Sequence, residues 1–168
     1  MKKINLIFLV SLISYCSIAQ KFAYVDTDYI LNKIPEYSQA QEKLDNYSKG
    51  WQEEIETLIK KIEKLHRAYQ SEQILLTEEM KTTRQEMIFA EEKKVQELQI
   101  KYFGPDGMLY LKRQELIKPI QDKIYDAIQQ LATNNKFSVI FDSSSDLIML
   151  YTNNNLDKSD KVLEIMGY

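Results

Sequence analysis

Residues 36–103 read EYSQAQEKLDNYSKGWQEEIETLIKKIEKLHRAYQSEQILLTEEMKTTRQEMIFAEEKKVQELQIKYF, 68 residues between Pro35 and Pro105 with no proline and one glycine, Gly50. Glu, Lys, Gln, Leu and Ile dominate the stretch. An ordinary globular helix has roughly 8–20 residues, so this run is either one helix on the order of 100 Å long or a hairpin of about half that length. Leu44, Trp51, Leu58 and Leu65 recur every seven residues, and Ile55, Ile62 and Tyr69 each follow four residues after one of them. That is an a/d heptad seam, which winds helices together left-handedly and requires a partner helix. The pattern lapses around Tyr69–Thr77. Gln70-Ser71-Glu72-Gln73 is polar, and Thr77-Glu78-Glu79 has the cap and early acids of a new helix. The run therefore predicts an antiparallel hairpin with its tip near 70–77. Met80, Met87, Ile88, Val95, Leu98 and Tyr102 form a looser seam on the return limb.

On the N-terminal side, residues 1–19 carry Lys2 and Lys3, an apolar run from Ile4 to Ile13, and Ser17-Ile18-Ala19 with small residues at −3 and −1. This is the pattern of a cleavable secretory signal, with an apolar run too short to cross a bilayer comfortably. Cleavage after Ala19 leaves 149 residues, removes the one cysteine, Cys16, and moves the net charge from −3 to −5. The exported chain then has no thiol for a disulfide, a nucleophile or a metal. It also lacks the basic stripe that a nucleic-acid partner favours.

After the signal, residues 21–25 read as a strand, Asp26-Thr27-Asp28 as helix-capping residues, and Tyr29 to Ile34 as a short helix. Pro35 suits the first turn of the next. Phe103-Gly104-Pro105-Asp106-Gly107 interrupts the long segment, and Pro105 cannot continue a helix. Helix resumes near Met108, with Leu116, Ile120, Ile124, Ala127, Ile128 and Leu131 as its apolar stripe and Pro119 as a bend. Phe137 to Phe141 is expected to be a buried strand. Leu147 to Tyr151 is expected to pair with it antiparallel after a turn over Asp142 to Asp146. Ser159 is placed as the cap of a last helix, Asp160 to Met166, ended by Gly167. The result is an α+β chain with a helical hairpin and a small three-stranded body. Its open sheet edges invite pairing between chains.

Chemistry-bearing residues are sparse. His66 is the one histidine and sits mid-coil with Glu63 and Gln70 at helical spacing, without a second ligand. The serines at 143–145 have no nearby base. Acid pairs such as Glu53-Glu54, Glu78-Glu79 and Glu91-Glu92 lie among lysines as solvated helix faces, with i,i+4 partners such as Glu56–Lys60 and Glu97–Lys101. The expectation is no enzyme and no catalytic, cofactor or metal residue. Trp51, Tyr69, Met80 and Met87 are the candidate contacts for an apolar client, since large rings and adaptable thioethers suit varied apolar surfaces. Packing in the seam is the competing role for each.

The order of parts resembles the Skp/OmpH family across the whole exported chain. The resemblance is carried by Phe22-Ala23-Tyr24-Val25-Asp26, Tyr29-Ile30-Leu31, Ile34-Pro35-Glu36-Tyr37 and Ala40-Gln41. Its sharpest parts are Phe103-Gly104-Pro105-Asp106-Gly107, Lys112-Arg113-Gln114-Glu115-Leu116, Lys118-Pro119-Ile120-Gln121-Asp122-Lys123-Ile124 and Ala127-Ile128. Phe141-Asp142 and Tyr151 also match. The resemblance implies one domain over 20–168, with a body of 20–35 and 104–168 and a tentacle of 36–103. It implies a homotrimer whose strands complete a small β-barrel. The implied activity is that of a periplasmic, ATP-independent holdase, which binds unfolded outer-membrane proteins and stops their aggregation on the way to the outer membrane. No cofactor or catalytic residue comes with it. The acidic net charge departs from the basic members of that family and gives no support to membrane-surface or lipopolysaccharide contact. The alternative of another class is a coiled-coil spacer or adaptor of the cell envelope that binds one folded partner.

Overall fold

The structure, a computed structural model, describes residues 21–145 and 148–168. The proposed signal at 1–19 lies outside them. The chain is mostly helical with one two-stranded sheet. It forms two compact units, one of residues 34–122 and the other of residues 21–33 and 123–168.

The unit of residues 34–122 is built from α2 (Pro35–Glu72), α3 (Glu78–Phe103), α4 (Met108–Leu116) and the first turn of α5 (Lys118–Asn135). Pro35 opens α2, where a missing amide hydrogen costs nothing. The helix then runs 38 residues, roughly 57 Å. The Thr77 hydroxyl caps α3 by accepting from the Met80 amide at 3.3 Å. Cross-limb bonds join Glu54 to Tyr102, Lys61 to Glu91, Tyr69 to Gln85 and Glu72 to Arg84. One number falls as the other rises, so the limbs are antiparallel. Ile55, Val95 and Tyr102 are the buried centre of the seam, flanked by Trp51, Leu58, Ile62, Leu98 and Met108. On α3 the buried residues Ile88, Val95 and Tyr102 stand seven apart, which places Met80 and Met87 off that line. Both are half exposed.

α3 ends at Gly104, whose backbone is extended ahead of Pro105, and a Cβ there would stand 2.4 Å from the Ile100 carbonyl oxygen. A second break falls at Ile117, between α4 and α5. Pro119 has no amide hydrogen to continue the ladder of α4, and the chain restarts as α5 with Gln121 donating to the Ile117 carbonyl at 3.1 Å.

In the other unit, β1 (Lys21–Val25) and β2 (Phe137–Asp142) pair in parallel, from Phe22 opposite Val139 to Val25 opposite Asp142. Between them in sequence comes α1 (Thr27–Lys33), and after them a 3₁₀ turn (Asn154–Leu156) and α6 (Ser159–Met166). The buried apolar residues here are Ala23, Val25, Ile30, Leu31, Ile124, Ala127, Leu131, Val162 and Leu163. Asp26 accepts from the Tyr29 amide at 2.8 Å and so caps α1. Gly167 closes α6 in the left-handed conformation, at φ +91°.

Three expectations are corrected in this unit. Among the described residues the antiparallel hairpin is absent: β2 pairs in parallel with β1, and residues 148–151 form no strand. Asp146 and Leu147 lie outside the described residues. The turn after β2 is tied back toward β1 and α1. The Ser143 amide and hydroxyl both donate to the Val25 carbonyl, and Asp142 accepts from Thr27 and Ser144. These bonds leave no tight reversal for a hairpin. β2 is also not buried, since Val139 and Phe141 remain exposed. Ser159 is not the cap of α6. It is its first residue, buried, accepting from the Asp26 amide at 2.9 Å and donating to Asp157 at 2.6 Å.

Candidate functional site

The hairpin is the region whose chemistry is out of proportion to its structural needs. A seam needs apolar residues on one face of each limb. Here apolar residues also stand on the outside. Ile74 and Leu75, in the connection between α2 and α3, are 89% and 85% exposed, and Phe89 and Ile100 on α3 are 67% and 69% exposed. Phe89 and Ile100 are eleven residues apart, close to three helical turns, so they share one face. Met80 and Met87, seven apart, add a second partly exposed pair. None of these side chains is required to hold the limbs together.

Of the candidate contacts read from the sequence, Trp51 and Tyr69 face the seam. Trp51 is half buried and stacks on Tyr102 at 4.9 Å and on Tyr47 at 5.7 Å, with Phe103 edge-on at 6.3 Å. Such stacks contribute about 0.5–1.5 kcal/mol beyond area burial. The Lys112 ammonium lies 5.5 Å from the Tyr47 ring. Tyr69 is half buried, with its hydroxyl accepting from Gln85 at 3.0 Å. The four candidates are not brought together as one pocket.

Sequence reasoning missed Ile74, Leu75, Phe89 and Ile100. Their signal was present. Ile74-Leu75 is an apolar doublet inside a turn, where polar residues are the rule, and Phe89 and Ile100 fall off the seven-residue frame of Ile88, Val95 and Tyr102. A shallow groove of about 390 Å³ runs between the limbs, lined by Gln52, Ile55, Glu56, Ile59, Gln99 and Phe103. Its floor is apolar and its rim amide and carboxylate.

The electrostatics are local. The Lys61 ammonium donates to Glu91 at 2.6 Å and holds that carboxyl below the usual carboxylate range, against the opposing effect of burial. The Tyr102 hydroxyl donates to Glu54 at 2.8 Å, and that bond raises its pKa. His66 pairs with Glu92 across the limbs at 2.8 Å. Glu56 and Lys60 pair along α2 at 2.7 Å, and the Glu97 partner is Lys93 at 3.8 Å. Among the described residues no group of three His, Cys, Asp or Glu side chains is placed to hold a metal ion. No helix among them is long and apolar enough to cross a membrane. What this surface offers is many weak apolar contacts between charged, solvated faces.

Comparison with known proteins follows the same line. The crystal structure of an OmpH-like protein from Caulobacter crescentus CB15, a candidate outer membrane chaperone, superposes with a TM-score of 0.67. The match covers 86% of this chain and 82% of that one, at 13% sequence identity, and is a likeness of fold. No curated protein matches the sequence. The family described as outer membrane protein (OmpH-like) matches residues 21–166, nearly all of the chain, and the protein belongs to that family.

Proposed function

We propose that this protein is an ATP-independent holdase of the periplasm, exported by a cleaved signal at 1–19. In this reading it binds unfolded outer-membrane proteins and keeps them from aggregating in transit. The observation that carries the reading is the apolar outside of the hairpin: Ile74, Leu75, Phe89 and Ile100 exposed on a scaffold that does not need them. Unfolded β-barrel chains present alternating apolar side chains to water. Dispersed apolar residues on a charged hairpin meet them with contacts too weak to stabilise any one fold. Met80 and Met87 join that surface, Trp51 and Tyr69 support it from the seam, and no catalytic group or cofactor takes part. Membership of the OmpH-like family is consistent with this role.

Assembly is part of the proposal. Phe22, Val139 and Phe141 are exposed around the two-stranded sheet, and Ile148, Leu150 and Tyr151 beyond it are 84%, 96% and 86% exposed. β2 is an edge strand, and an edge strand is a template for pairing with another chain. Three copies are proposed to share their strands in one small barrel, which covers this surface and sets three hairpins around a common client space.

The test is dilution of a urea-unfolded outer-membrane barrel into buffer with and without the protein, in the absence of nucleotide, followed by light scattering. Suppressed scattering near one trimer per client is expected. Unchanged scattering from folded, oligomeric protein contradicts the reading.

A further inference from the structure

The two halves of the hairpin are closed by different chemistry. Toward the open end the seam is mainly apolar, with Trp51, Ile55, Leu58 and Ile62 against Val95, Leu98, Tyr102 and Met108, and Tyr102 also donates to Glu54 across the limbs at 2.8 Å. Toward the turn it is mixed: Leu65, Tyr69 and Ile88 lie among side chains that link the limbs by polar contacts. The cross-limb links there are Lys61–Glu91 at 2.6 Å, His66–Glu92 at 2.8 Å, Tyr69–Gln85 at 3.0 Å and Glu72–Arg84 at 3.6 Å. The frame that buries Ile88, Val95 and Tyr102 puts Lys81, Arg84 and Glu91 half buried on the same side of α3. Ile88 is buried there, outside the apolar cluster. Glu91 Oε2 is buried without a hydrogen-bond partner, a cost that separation of the limbs would relieve.

Each polar link contributes little. Partly exposed ion pairs contribute about 0–1 kcal/mol each and weaken as salt rises. The apolar half has no such sensitivity, because burial of apolar area is not an electrostatic effect. We propose that the limbs separate from the turn end as far as the Ile62–Val95 level. Opening presents Leu65, Tyr69 and Ile88 as an apolar strip, and its occupant is an extended, unfolded polypeptide. The occupant rests on the holdase reading; the opening does not.

The experiment uses the full chain carrying Cys16→Ser, so that introduced cysteines are the only thiols. Spin labels at Ser71→Cys and Thr83→Cys report the turn half, and labels at Thr57→Cys and Gln99→Cys report the apolar half; all four positions are exposed. Distances are compared at about 0.02 M and 0.5 M salt, between which the Debye length falls severalfold. The expected result is a second, longer distance for 71/83 whose population grows severalfold with salt, beside one unchanged distance for 57/99. A single salt-invariant distance for 71/83, or equal broadening of both pairs, overturns the proposal. The same cysteine pairs are then bridged with a short bis-maleimide and tested against a urea-unfolded barrel. A severalfold loss of protection on bridging 71/83 but not 57/99 supports the strip as the gripping surface, and equal protection overturns that assignment. If the unbridged protein gives no protection, the holdase reading fails, while the distances still decide the opening.

Discussion

The hairpin unit and the sheet unit solve burial in opposite ways. The hairpin folds its two limbs against each other, so each limb covers the other's stripe within one chain. Ile55, Val95 and Tyr102 are buried without help. The sheet unit has two strands, and β2 carries Val139 and Phe141 in the open. Two strands alone are at best marginal in water, and this unit adds a buried core of Val25, Ile30 and Val162. The difference shows where the proposed assembly would act: the hairpin covers its seam within one chain, and the sheet unit leaves apolar side chains of its strand in the open.

The largest expected effect attacks the sheet unit. Replacing Leu150 and Tyr151 together by serine removes two of the most exposed apolar side chains. It should abolish self-association, lowering the mass in sedimentation equilibrium about threefold under the trimer proposal, with the helical circular dichroism of the hairpin kept. An unchanged mass would mean that the exposed segment does not mediate assembly.

The next effect attacks the hairpin unit. Trp51→Ala removes the ring between Tyr47 and Tyr102 and leaves a gap in the seam. Truncation of a packed Trp costs about 3 kcal/mol, at the low end here because Trp51 is half buried. Chemical denaturation should show that loss in the hairpin, and Trp51→Phe should recover much of it. Equal stability of Trp51→Ala would show that the aromatic stack is incidental.

A smaller effect separates the two units by pH. Asp142 is partly buried, which alone would raise its pKa, but hydrogen bonds from Thr27 and Ser144 outweigh burial and lower it. The unfolded chain therefore binds this proton more readily than the folded one. The stabilisation is complete above the unfolded carboxylate pKa of about 3.9 and is lost as pH falls through the lower folded value. Asp142→Ala should destabilise the sheet unit by about 1–2 kcal/mol at neutral pH, through the lost bonds at the start of α1. In acid the variant and the parent should converge. A difference that persists undiminished to low pH would place the effect elsewhere.

Much of the hairpin was legible because its signals are local and periodic. Leu44, Trp51, Leu58 and Leu65 repeat at the heptad spacing, and Thr77 is a cap that needs no tertiary information. The sheet was misread for the same reason. Phe137–Phe141 and Leu147–Tyr151 carry strand composition, but composition does not specify the partner. The parallel pairing of β2 with β1 spans more than a hundred residues of chain. What redirects the turn at Ser143 and Ser144 is bonding to Val25 and Thr27, which no local pattern encodes. At the candidate site, Met80 and Met87 were chosen by residue type, and both are half exposed. Ile74, Leu75, Phe89 and Ile100 emerged when the seam fixed which face of each helix is turned outward.

The central claim is that the outer apolar residues of the hairpin hold unfolded chains. The most direct measurement replaces Ile74, Leu75, Phe89 and Ile100 with serine and compares variant and parent in the scattering assay against a urea-unfolded outer-membrane barrel, after circular dichroism and sedimentation show the same helicity and mass. The account predicts that the variant folds and assembles normally and loses most of its protection. A variant that protects as well as the parent would contradict it.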